Sequence, residues 1–305
     1  MMHGILNLNK SQGLTSRTVV SRVQQAFKLK KIGYAGTLDP EATGVLPLCI
    51  GKATKTIPFL LECPKTYKAT MKLGVMTDTD DASGNVVETS SYTLDKARIE
   101  AIVKSFQGEI DQIPPMYSAL KYKGRRLYEL AREGKVVDRA PRKVTLFQIE
   151  VLDICDPFVI FEVTCSRGTY IRTLCRDIGL KSGYGAHLFH LIRTRVGVFD
   201  LTQSVSLDQL EKMRREEVEQ ILWSIADSLS FLPSVIVKEE GETRLSHGLA
   251  LRAEHLLSQL PSELKERRVK AQNERGECLA IVEIVRKGEK ERGDLLLAPL
   301  RVFLP

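Results

Sequence analysis

The run over residues 33–51 constrains this chain most: Gly33-Tyr34-Ala35-Gly36-Thr37-Leu38-Asp39-Pro40-Glu41-Ala42-Thr43-Gly44-Val45-Leu46-Pro47-Leu48-Cys49-Ile50-Gly51. It is a loop punctuated by glycine that presents one carboxylate and then enters apolar sequence. Pro40 fixes its own φ and biases Asp39 away from the α region, so the carboxylate is carried on extended or turn backbone. An Asp-Pro pair alone is an ordinary turn. What the rest of the chain offers decides whether this one is more.

With 305 residues, 43% of them hydrophobic, the chain has enough sequence for a sizeable core in one large domain or two. No apolar run approaches the roughly 18 residues of a membrane span, and the opening residues lack the charged head and cleavage site of a signal peptide. A cytoplasmic protein is expected. Cys49, Cys63, Cys155, Cys165, Cys175 and Cys278 form no C-x-x-C pair and read as buried free thiols.

The net charge of +7 is unevenly placed. Residues 121–143 hold nine basic side chains against three acids, a net of +6, and residues 167–195 hold six against Asp177 alone. Residues 200–227 reverse the sign, with three basic and seven acidic. Two basic segments interleaved with Tyr117, Tyr122, Tyr128 and Tyr170 favour a polyanion, and specifically nucleic acid, as partner.

Periodicity gives a mixed α and β chain. Residues 3–9 read as a strand, and Thr15 or Ser16 caps a helix with Val19, Val23 and Phe27 on one face. Residues 66–73 alternate, predicting a strand with Tyr67, Ala69, Met71 and Leu73 inward. Residues 77–85 form an acidic turn exposed to solvent, and 94–106 a helix. Residues 144–152 and 158–165 pair as strands, and 170–180 form a helix. Two acidic helices are expected near 207–213 and 216–230, then a domain boundary at Phe231-Leu232-Pro233. Strand-like runs at 279–285 and 295–303 make the remainder a small β-rich module.

Several chemistries are absent: no G-x-x-x-x-G-K-[ST], no G-x-G-x-x-G and no H-E-x-x-H. His187 and His190, three apart, could share a helix face, but no acid or cysteine nearby completes a metal site. Asp78, Asp80 and Asp81 lack the glutamate that a calcium loop requires. Neither a metal nor a cofactor is expected.

What remains is Asp39 in its loop, the strand tyrosine Tyr67, and Gly168-Thr169-Tyr170-Ile171-Arg172-Thr173-Leu174. With these the chain resembles the bacterial tRNA pseudouridine synthases of the TruB type. Gly36-Thr37-Leu38-Asp39-Pro40 followed by Ala42-Thr43-Gly44-Val45-Leu46-Pro47 matches that family's catalytic motif. Lys65-Thr66-Tyr67, Pro114-Pro115-Met116-Tyr117-Ser118-Ala119-Leu120-Lys121, the Gly168–Leu174 motif and Gly185-Ala186-His187-Leu188 follow in the family's order. The match covers residues 5–205 strongly and is weak from 233 onward.

The resemblance implies an α+β pseudouridine-synthase fold with a mixed sheet: a catalytic domain at 1–232 with an RNA-gripping insertion at about 107–143, and a PUA-like RNA-binding domain at 233–305. It implies isomerisation of uridine 55 in the T-loop of tRNA after base flipping, by a monomer without an obligate protein partner. Asp39 would be nucleophile or base, adding to C6, capturing the sugar or removing the 2′ proton. Arg172 would pair with it and Tyr67 would stack on the uracil near C5. Tyr170 and Leu191 would line the pocket, and Lys10 would stabilise its wall. Lys121, Arg125, Arg126, Arg139, Arg142 and Lys143 would meet the RNA backbone. Where the family has histidine before its catalytic motif, this chain has Tyr34, which offers a flat π face but no titratable ring. Two other readings remain: a tRNA-folding chaperone without chemistry, which leaves Asp39 unexplained, and a synthase subunit that depends on guide RNA.

Overall fold

A computed structural model describes residues 2–259, 267–287 and 294–304. In the first half of the chain, strand β1 (Gly4–Lys10) leads to helix α1 (Ser16–Ala26), β2 (Ile32–Tyr34), β3 (Thr43–Ile50), α2 (Ile57–Glu62) and β4 (Lys65–Leu73). A small hairpin, β5 (Val75–Thr77) and β6 (Val86–Thr89), precedes α3 (Lys96–Lys104) and β7 (Gly108–Gln112). The basic segment folds as a miniature hairpin, β8 (Lys121–Tyr122) and β9 (Arg125–Arg126), followed by α4 (Leu127–Arg132). Long strands β10 (Arg142–Cys155) and β11 (Phe158–Cys165), helix α5 (Ile171–Ser182) and strand β12 (Ala186–Val196) follow, then short β13 (Phe199–Asp200) and β14 (Val205–Ser206).

These strands build one ten-stranded mixed sheet in the order β14-β1-β3-β12-β4-β11-β10-β7, with β13 on β12 and β2 on β3. The pairing is mostly antiparallel. Two pairs, β1 with β14 and β3 with β12, are parallel. The β3–β12 seam matters most, because the Asp39 loop feeds directly into β3 there. Gly44, at φ +105°, permits it: a Cβ at that position would stand 2.2 Å from the Arg193 carbonyl oxygen, so only glycine lets the strands approach.

Local sequence explains the elements around the seam. Thr15 caps α1 by accepting the Thr18 N–H at 3.0 Å, and Val19 and Val23 are buried on its inner face. Along β4 the odd-numbered residues Tyr67, Ala69, Met71 and Leu73 are buried as alternation predicts. They face Val103 of α3 and Leu174 and Ile178 of α5 in one core. On β1 and β3 the two faces go to different cores. Leu6, Leu8, Leu46 and Leu48 meet α1, while Ile5, Val45 and Cys49 meet Phe59, Phe199 and three residues from beyond position 233, Cys278, Ile281 and Phe303.

Beyond Pro233 a four-stranded sheet runs β15 (Ser234–Ile236), β16 (Arg268–Gln272), β17 (Cys278–Lys287), β18 (Asp294–Val302). Lys55 donates to the Val302 carbonyl at 2.5 Å and Arg268 pairs with Glu62 at 2.7 Å, so this module docks on the α2 side of the large sheet.

Several expectations need correction. The expected helix at 216–230 is two short ones, Arg215–Gln220 and Ile225–Ser228. Trp223 breaks it by exchanging backbone hydrogen bonds with Ile5 at 2.9 Å each way, which extends the sheet edge at the helix's expense. The helix at 207–213 stops at Leu210. His187 and His190 lie on strand β12, not on a helix, and cross-strand partners decide their neighbours. Five cysteines are buried and free, but Cys155 at the end of β10 is exposed.

A candidate active site at the parallel seam

Two buried cations hold the loop between β2 and β3. Lys10, with no exposed surface, directs its ammonium at three carbonyls: Leu14 at 2.7 Å, and Ser11 and Pro40 at 2.9 Å. Burial pushes its pKa down to about 8, against the opposing pull of Glu41 and Asp39. Arg193, 1% exposed, donates from Nε to the Val45 carbonyl at 2.7 Å, from Nη2 to Gly36 at 2.9 Å and from Nη1 to Thr37 at 3.4 Å. Its guanidinium is lowered by burial, with the Tyr67 phenol opposing. Ser16 adds a two-way clasp, accepting the Leu38 N–H at 2.9 Å and donating to the Leu38 carbonyl at 3.1 Å. Each buried carbonyl thereby has a donor, which removes the cost of about 1–3 kcal/mol that an unsatisfied buried group carries. The Asp39 side chain, 46% exposed, remains reachable on this fastened loop.

Arg172 meets it from α5. This arginine is 5% exposed, and its Nε stands 3.0 Å from Asp39 Oδ2. Its Nη1 reaches Asp81 Oδ2 at 3.5 Å and the Thr79 carbonyl at 3.3 Å, while Nη2 donates to the Tyr117 carbonyl at 2.9 Å. One guanidinium therefore ties together the catalytic-type loop, the β5–β6 turn and the start of the basic insertion. The entry of α5 is itself clamped: buried Gln112 accepts the Tyr170 N–H at 2.7 Å and donates to the Tyr170 carbonyl at 3.0 Å.

Above the seam lies a cleft of about 370 Å³ lined by Asp39, Glu41, Arg172, Asp81 and Ser83, with Leu188 and Leu191 among its apolar residues. That volume falls within the range of small-molecule and nucleoside sites. Tyr67 is 9% exposed and packs in the same core as Leu38, Ala42 and Leu191. Burial raises its phenol pKa, which the neighbouring Arg193 guanidinium partly offsets. Tyr170 is half-buried, and its phenol is likewise raised by burial.

The structure thus brings Asp39, Arg172 and Leu191 together at one cleft, with Tyr67, Tyr170 and Lys10 behind them. Tyr34 is not in the cleft lining: it sits on β2, partly buried against the core that holds Leu6, Val19 and Leu48. Among the six insertion residues expected to meet the RNA backbone, Lys121, Arg126 and Arg142 are exposed and make no ion pair among the described residues. Arg125 pairs with Glu133, and Lys143 with Glu109 at 2.5 Å. Arg139 is half-buried, its Nε without a partner among the described residues.

The 77–85 turn is the clearest correction. Asp80 and Asp81 are not solvated acids: their side chains are 12% and 17% exposed and both are ion-paired to α5. Arg193 and Gln112 also escaped sequence reading. Among the described residues no group of three or more His, Cys, Asp or Glu side chains is arranged to hold a metal ion, and no helix is long and apolar enough to cross a membrane.

The mixed sheet, with a reachable carboxylate gripped by a buried arginine at its parallel seam, defines a pseudouridine-synthase fold. The solved structure titled "Crystal Structure of a Cbf5-Nop10-Gar1 Complex" matches with a TM-score of 0.81 and 29% identity, covering 100% of this chain and 86% of that one. A second, "Structure of H/ACA RNP bound to a substrate RNA containing 2'-deoxyuridine", matches at 0.78 and 27% over 99% and 86%. The family model described as "TruB family pseudouridylate synthase (N terminal domain)" matches residues 24–171, and "tRNA pseudouridylate synthase B C-terminal domain" matches 172–230. The tRNA pseudouridine synthase B of Syntrophotalea carbinolica is 42% identical over 99% of this chain and 98% of its own, and that of Burkholderia pseudomallei 46% over 84% of each. This chain belongs to the TruB family of tRNA pseudouridine synthases, and its activity is that of an isomerase.

Proposed function

We propose that the protein converts uridine 55 in the T-loop of tRNA to pseudouridine, with Asp39 as the reacting carboxylate. The observation that carries this reading is the contrast within one loop. The backbone from Gly36 to Val45 is fastened by buried Lys10, Ser16 and Arg193, while the half-exposed Asp39 carboxylate lines the cleft with the buried Arg172 Nε at 3.0 Å.

The reaction breaks the N1–C1′ bond, forms C5–C1′, returns a proton to N1 and removes one from C5. No group is added or lost overall, so neither metal nor redox partner is required. The uridine first leaves its stack, at a cost of a few kcal/mol. Asp39 then acts as nucleophile or base on the base or sugar. Arg172 supplies the countercharge that keeps the carboxylate anionic once uracil covers it, and its Nε contact holds Asp39 Oδ2 in place. Tyr67 and Leu191 bound the pocket for the flipped ring, with Tyr67 beside C5, and Tyr170 stands at the entry of α5. Tyr34 fills the gap that the uridine leaves. Lys121, Arg126 and Arg142 contact phosphates, joined by Arg125, Arg139 and Lys143. The module at 233–305 is a PUA-like RNA-binding domain, the catalytic domain spans 1–232, and the protein works as a monomer in the cytoplasm without an obligate protein partner.

The test is pseudouridine formation on a T-arm hairpin by the protein alone, with a hairpin carrying cytidine at position 55 as control. Conversion confined to position 55 supports the proposal. No conversion until a guide RNA is added would favour the guide-dependent reading, and tight binding without conversion under any condition would favour the chaperone.

A further inference from the structure

Below the Asp39–Arg172 contact, α5 carries a second arginine one turn on, Arg176, whose Nη1 is 3.1 Å from Asp80 Oδ2. Residues four apart lie on one helix face, so Arg172 and Arg176 present two cations to the β5–β6 turn. The turn answers with adjacent acids, Asp81 to Arg172 and Asp80 to Arg176. We infer that the Arg176–Asp80 ion pair is a positioning pair for the isomerisation, because it sets where the turn delivers the two acceptors that hold Arg172 against Asp39. This inference rests on the proposed function above.

The turn supplies two of the four partners of Arg172, the Thr79 carbonyl and the Asp81 carboxylate. Asp80 sits between them in sequence with φ at +62°, the left-handed conformation that sends successive residues in different directions. Its carboxylate is the anchor from which both neighbours are aimed. The rest of the turn is internally knit, with Thr77 Oγ1 donating to the Asp81 carbonyl and Thr79 Oγ1 to Asp81 Oδ1, each at 2.7 Å. The Leu188 N–H donates to the Asp80 carbonyl at 3.0 Å, tying the turn to β12 at the cleft. Movement at Asp80 is therefore transmitted to Arg172 as a unit.

Charge makes the same point. Asp80 is 12% exposed, and burial raises its pKa while Arg176 is the largest opposing influence and Arg172 the next. Without Arg176, the strongest remaining cationic influence on that buried carboxylate is Arg172. Asp80 would then either take up a proton or compete with Asp39 for the guanidinium. Arg176 also pairs with Asp177 at 2.9 Å, so its own position does not depend on Asp80 alone.

The test measures single-turnover pseudouridine formation with enzyme in saturating excess over T-arm RNA, a rate read only from folded enzyme. RNA affinity and melting temperature are measured beside it. Asp80→Asn is the appropriate change because asparagine also adopts left-handed backbone. Arg176→Met should slow the rate roughly 10- to 100-fold, the scale of a misplacement near 1 Å, with RNA affinity held within about threefold of wild type. Asp80→Asn should slow it in the same direction, and Arg176→Lys should recover most of the Arg176→Met loss. The double variant should be no slower than the slower single, since both act through one pair. Wild-type rates from folded Arg176→Met protein, or a double variant slowed by the product of the singles, would overturn the inference, as would a lowered melting temperature with an unchanged rate. Failure of wild type itself to form pseudouridine would instead overturn the proposed function.

Discussion

Removing Arg193 should loosen the Asp39 loop by an amount the hydrogen bonds allow one to work out. In Arg193→Leu the Val45 and Gly36 carbonyls, held at 2.7 and 2.9 Å, lose their donors in a site of 1% exposure. Each stranded carbonyl costs about 1–3 kcal/mol. The third contact, to Thr37 at 3.4 Å, is too long to add much. Relief from burying a guanidinium works the other way. The net expectation is a loss of about 2–4 kcal/mol, a large part of the roughly 5–15 kcal/mol of a folded domain. Arg193→Lys, which keeps the charge but not the fork, should lose less stability. Urea denaturation read by tryptophan fluorescence suits the measurement, because the single Trp223 packs edge-on against Phe199 in the core that borders the seam. A loss under about 1 kcal/mol in Arg193→Leu would refute the view that this arginine holds the loop.

Three further outcomes are expected. Because burial lowers Lys10 to about 8 from an unfolded value of 10.5, the folded protein binds fewer protons than the unfolded chain between those values. Wild-type stability relative to Lys10→Met should therefore rise from pH 8 to 10.5 by about 2–3 kcal/mol, and a flat or falling difference in urea titrations would contradict the burial argument. RNA binding should weaken steeply with salt, with a log–log slope of roughly −0.7 to −0.9 per phosphate neutralised. Alanine at Lys121, Arg126 and Arg142 should flatten that slope, and an unchanged slope would place the insertion away from the RNA. Tyr34→Phe should be nearly silent, whereas Tyr34→Ala should lose about 1–3 kcal/mol of RNA binding, the worth of one aromatic stack, on folded T-arms more than on unstructured RNA; equal impairment of the two variants would rule out stacking.

What is legible in the sequence depends on how local its cause is. Alternation alone places Tyr67, Ala69 and Met71 inward on β4, and the spacing of glycine, proline and one aspartate is enough to mark the Asp39 loop. Motif order locates Arg172, and the family resemblance supplies Leu191. Arg193 is hidden because a basic residue in a strand reads as solvent-facing. Its signal is parity: it falls two residues after Leu191 and pairs across β4 with Tyr67, on the buried side. Asp80 and Asp81 look solvated because their partners lie about ninety residues later on α5, a distance no local pattern spans. The same holds for Trp223, whose pairing with Ile5 splits a helix that its own neighbourhood would have continued.

In the proposed function the Asp39 carboxylate, aimed by Arg172, carries out the isomerisation. The most direct measurement is the single-turnover rate of Asp39→Asn on T-arm RNA, which keeps side-chain size and removes the charge. The rate should fall below about a thousandth of wild type, since covalent and general-base effects together exceed that scale, while RNA affinity stays within a few-fold. A rate above that threshold from folded Asp39→Asn protein would contradict the account.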